Sequence, residues 1–91
     1  MDLTGLEGKN VLIRTVTHYY TGLLAGQVDG AHMSWLQLED AAWIADTGRF
    51  SDALKDGTLS EVEPYPGECF VSAGAVVDVC AWPHELPRAK K

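Results

Sequence analysis

Arg14, His18, Tyr19 and Tyr20 fall within one short window of the 91-residue chain, and no other stretch mixes aromatic and titratable side chains so densely. Aromatic rings stack on unpaired bases, and Arg14 and a protonated His18 can meet a phosphate, so the window reads as a candidate RNA contact. The competing reading buries the same rings in a core or between subunits. His32 stands in the polar turn DGAH, where it can line a pore and pair with a phosphate. Catalytic chemistry finds little support. His18, His32 and His84 are isolated, and no Cys or His pair has zinc-ligand spacing. GLLAGQ lies in strand-like text rather than before a helix, so it is no phosphate loop. Asp40, Asp46, Asp52 and Asp56 read as solvated charges around a surface helix. No nucleophile has a base nearby. The expectation is a non-enzyme that needs neither cofactor nor metal.

These residues must be positioned by a small scaffold. A chain of this length makes one domain, spanning 1–91, with a thin core that association between copies would reinforce. Its net charge of −6 opposes nucleic-acid binding over the whole surface. The one basic cluster, PRAKK, is read as a frayed, solubilising tail over 83–91. No apolar run is long enough to span a membrane, and MDLTGLEGK has no signal-peptide core, which points to the cytoplasm. Cys69 and Cys80 flank SAGAVV symmetrically and would face each other across a simple hairpin. Buried, reduced thiols are the reading adopted.

The text is mainly β. Residues 1–9 can make a short helical turn with Thr4 as N-cap and Gly8 as its stop, laying Leu3 and Leu6 over the end of a barrel. VLIRTVTHYY is rich in β-branched and aromatic residues and reads as the first strand, with Gly22 as a bend before LLAGQV. MSWLQLED alternates, with Leu36 and Leu38 inward. A helix inserted over 46–57 is capped by Asp46 or Thr47, carries a Phe50, Ala53 and Leu54 stripe, and ends at Gly57. Pro64 and Pro66 keep TLSEVEPYPGE out of a central ladder, and CFVSAGAVVDVCAW supplies two last strands around Ala73 and Gly74. The sum is a five-stranded, bent, antiparallel open barrel of SH3-like or Sm-like kind, with the helix between strands three and four.

YYTGLLAGQVDGAHMSWLQLEDA resembles the first motif of Sm-like proteins, the ring-forming group that includes LSm proteins and Hfq. Tyr20, Gly22, Leu24, Asp29, Met33, Leu36, Leu38 and Glu39 fill the motif's places in order, LEDA stands where the family's third strand usually ends, and FVSAGAVVDV echoes the second motif. The turn before Met33 is longer than usual. Ser34 replaces the family's base-binding Asn, and of the second motif's Arg-Gly only Gly74 remains, after Ser72 and Ala73. VLIRTVTHYYTG and LEDAAWIADTGRF are also similar to small Sm-like proteins of bacteriophages, including cyanophages.

The resemblance implies a phage-type, homo-oligomeric ring of five or six subunits in a bacterial host, with virion association as a further outcome. The ring would contact RNA weakly, through Arg14, His18, Tyr19, His32, Met33, Ser34 and Gly74, or act as an assembly adaptor for phage or host proteins. Its subunit interface would use Phe70, Val76, Val77 and Val79, because the last strand has little edge protection beyond Asp78. A structural head or tail accessory without nucleic-acid binding and a monomeric SH3-like adaptor are the alternatives.

Overall fold

The computed structural model describes residues 2–91. A 3₁₀ turn over Thr4–Leu6 precedes β1 (Asn10–Thr15), β2 (Tyr19–Asp29) and β3 (Ser34–Asp46). Helix α1 (Phe50–Asp56), β4 (Glu61–Pro64), β5 (Cys69–Ser72), a second 3₁₀ turn (Ala73–Ala75) and β6 (Val76–Ala81) follow. All pairings are antiparallel, in the order β4-β3-β2-β1-β6, with β5 also on β3. The protein is therefore mainly β, with six strands in one open sheet and one α-helix among the described residues.

One strand more than the expected five forms, β4, and the boundary between the first two strands shifts. VLIRTVTHYY is not one strand, because the Thr15 hydroxyl offers the backbone a turn instead. It accepts from the His18 N–H at 3.0 Å and donates to the His18 carbonyl at 2.6 Å, closing a hairpin with Val16 at its tip. β3 runs past LEDA to Asp46, and EVEP pairs with that extension, placing Ala42 opposite Pro64 and Ile44 opposite Val62. β5 continues along β3, Leu38 lying opposite Cys69, so β4 and β5 act as one edge strand interrupted at 65–68. The prolines are accommodated because this strand is an edge, where a missing donor costs little.

Gly22 is the bend glycine the sequence suggested. The β2–β3 register slips between Thr21 and Leu23, opposite Asp40, whose φ is +50°. A Cβ on Gly22 would stand 3.1 Å from the Leu38 Cβ and 3.3 Å from the Ala41 Cα, so a side chain there would crowd the strands as the sheet folds over.

Two cores result. The inner one gathers Val11, Ile13, Leu24, Leu36, Leu38, Ala41 and Val71, with Leu3 and Leu6 of the first 3₁₀ turn against it as expected. The outer one gathers Leu12, Ala42, Ile44, Ala53, Leu59, Val62 and Trp82 on the opposite face, with Leu86 against it. Gly57 caps α1 with φ +75°, but the helix begins at Phe50 without a side-chain cap. Asp46 instead accepts from the Gly48 N–H at 2.8 Å, turning the chain before the helix starts. Thr4 likewise is not a cap: Asp2 accepts from its N–H and hydroxyl.

The tail is an ordered strap rather than a frayed end. Lys91 and Val62 exchange both backbone hydrogen bonds, at 2.9 and 3.1 Å, and the Lys91 ammonium donates to the Leu59 carbonyl at 3.0 Å. Asn10 Nδ2 donates to the His84 carbonyl, and the Trp82 indole N–H points at the Glu85 carbonyl. The strap covers the β4 edge at Val62 and closes the outer core. Among the described residues no strand pairs with the outer edge of β5 or of β6.

Candidate functional site: an aromatic groove beside β3 and β4

Directly opposed residues of an antiparallel sheet share a face. The registers therefore place Ile13, Tyr20, Trp43 and Glu63 on one side of the sheet, and Arg14, Tyr19, Ile44 and Val62 on the other. This parity splits the window that looked like a single site. His18 sits at the hairpin end, its ring 5.3 Å from Trp43 in an edge-on arrangement and 6.0 Å from Tyr20. Tyr20 stacks on Tyr65 at 6.4 Å, so four rings follow one another along the sheet. Tyr19 instead meets Phe50 of α1 at 6.0 Å, on the opposite side.

Two depressions flank the His18–Trp43 pair. One, of about 350 Å³, is lined by His18, Trp43, Glu63, Pro64 and Tyr65. The other, of about 270 Å³, runs from Thr17 and Tyr19 along Trp43–Thr47 and includes Asp46. No Lys or Arg lines either. Burial pushes the Tyr65 phenol up to about 12, with Cys69 and Tyr20 adding to it, and burial raises Tyr20 and the Cys69 thiol too. Both phenols are thus neutral at physiological pH and offer donors as well as ring faces.

The other expected RNA-contact residues do not converge on this groove. Arg14 donates through Nε to both Asp78 carboxylate oxygens, at 2.8 and 3.0 Å, and through its terminal nitrogen as well. Its guanidinium lies 5.5 Å from the Phe50 ring centre and 5.9 Å from that of Tyr19, so its charge is already matched. Those hydrogen bonds raise the guanidinium further and hold the Asp78 carboxyl below its usual range. His32 and Met33 are exposed in the β2–β3 turn, closed by a Gly30 N–H to Met33 carbonyl bond of 2.7 Å, and Ser34 donates to Asp29. Gly74 lies in the second 3₁₀ turn, which the Val16 N–H to Ala75 carbonyl bond ties to the β1–β2 hairpin tip.

Of the expected interface residues, Phe70 and Val77 are exposed, at 48% and 57%, whereas Val76 and Val79 pack against the inner core. Val77 is also the extra residue of a bulge between Arg14–Asp78 and Thr15–Val76. Cys69 and Cys80 are free thiols. They cannot face each other, because β5 pairs with β3 and β6 with β1, and their side chains join opposite cores. Among the described residues no three His, Cys, Asp or Glu side chains form a metal-binding group, and no helix is long and apolar enough to cross a membrane.

Trp43, Glu63 and Tyr65 escaped the sequence reading. Their signal was the apolar run AAWIA directly after SWLQLED, which extends β3 and brings EVEP alongside. No protein-family model and no curated protein sequence matches this chain.

Proposed function

We propose that the protein is a non-catalytic, phage-type Sm-like module that assembles into a homo-oligomeric ring and serves as an assembly adaptor. The observation that carries this reading is the pair of bare edges. β5 and β6 end opposite sides of one curved sheet, each with unpaired backbone groups and one large exposed apolar side chain, Phe70 and Val77. Pairing β5 of one copy with β6 of the next satisfies both edges and repeats until the ring closes. The strap favours this segment, because it already occupies the β4 edge at Val62. An adaptor role fits better than a dedicated RNA site, since Arg14 is committed to Asp78 and the chain carries −6.

The test is to place carboxylates on both edges, as Phe70→Asp with Val77→Asp, and to follow the mass by native mass spectrometry. The expected result is a folded monomer from the double variant and a closed oligomer from the unmutated chain. An unchanged oligomer in the variant would refute pairing through these edges.

A further inference from the structure

We propose that the groove around His18 and Trp43 docks an extended basic peptide segment of a partner protein, seating Lys or Arg side chains against the rings with Glu63 and Asp46 as counter-charges. The indole of Trp43 is half-buried, and His18 stands edge-on to it, so the two rings form perpendicular walls shared by both depressions. An aromatic face attracts a cation through its quadrupole, and indole does so best. Glu63 in one depression and Asp46 in the other supply formal negative charge, and no Lys or Arg competes for it. Arg14, which approaches Tyr19 from the outer face, is held by Asp78.

The same features argue against a phosphate-bearing ligand, which both carboxylates would repel. The shape argues for a peptide. Glu63 and Tyr65 are exposed, so neither depression encloses a small ammonium, and two hollows on either side of one wall suit alternate side chains of an extended strand. The groove lies on β3, β4 and the β1–β2 hairpin and uses no residue of β5 or β6, so it is independent of the ring reading.

The test is fluorescence anisotropy with a labelled peptide of alternating Arg and Ser, beside an otherwise identical peptide carrying citrulline for Arg. Light scattering on the same samples reports assembly separately. Glu63→Lys alters an exposed side chain and should leave the fold intact by circular dichroism, whereas Trp43→Leu tests the ring itself. The expected result is saturable binding of the Arg peptide, weakened about tenfold or more by citrulline, by Glu63→Lys and by Trp43→Leu. Equal binding of the two peptides, or binding untouched by Glu63→Lys, would overturn the proposal. So would the absence of saturation at millimolar peptide, tetramethylammonium competing as well as the peptide, or a single-stranded oligonucleotide displacing it.

Discussion

Leu36 and Trp82 are both withdrawn from solvent, at 0% and 1% exposure, by different routes. Leu36 belongs to the inner core, which is filled almost wholly by alternate residues of paired strands. Trp82 belongs to the outer core, where the sheet supplies one wall while α1, Leu59 and the tail supply the other. The inner core thus follows from the two-residue period of its strands, whereas the outer core also needs a helix and irregular segments, Leu59 and the tail, whose placement no strand period dictates. The two can be told apart by perturbation.

The largest effects should come from truncating their centres. Trp82→Ala should cost about 3–5 kcal/mol and Leu36→Ala about 2–5 kcal/mol in chemical denaturation. If the cores are independent, the double variant should be additive within about 0.5 kcal/mol. Strong coupling would show that they form one unit. Removing residues 86–91 should come next, with a loss of roughly 1–3 kcal/mol from Leu86 and the Lys91–Val62 pair. Exchange of the Val62 amide should then accelerate while that of inner-core amides lags. Uniform acceleration would contradict the separation. Gly22→Ala should follow, at roughly 1–3 kcal/mol, because the added methyl meets Leu38 and Ala41 where the sheet bends.

The alternation in SWLQLED was enough to point Leu36 and Leu38 inward, and Gly22 and Gly57 were legible because each occupies a position where a side chain costs dearly. The hairpin at Val16 was not legible from propensity, since the hydroxyl of one threonine decides it against a β-branched run. Nor was the strap, whose partners Val62 and Leu59 are remote in sequence from Lys91 and follow no local pattern. The groove was legible only in part. His18 stood out by type, but its separation from Tyr19 and its union with Trp43 and Tyr65 come from register, which flips a side chain's face with every residue.

Smaller effects sharpen the contrast on the surface. Hydrogen bonds from Arg14 lower the Asp78 carboxyl in the folded state, so this pair stabilises above the unfolded carboxylate value of about 3.9. That contribution fades as pH falls through the lower folded value. Asp78→Asn should therefore slightly lower Tm near neutrality and flatten its acid dependence between roughly pH 2 and 5. Parallel Tm–pH curves for the two proteins would rule out a folded-state role for the pair. The smallest effect concerns the thiols. Burial raises both Cys69 and Cys80, so iodoacetamide should label them slowly in the native protein and fully in denaturant, as mass spectrometry would record.

The proposed ring depends on the free edges of β5 and β6 closing on one another between copies. Light scattering on the unmutated protein, followed across dilution from about 100 to about 1 micromolar, tests it most directly. The expected result is one discrete multiple of the 9.9 kDa chain at every concentration. A well-folded monomer throughout the series would contradict it.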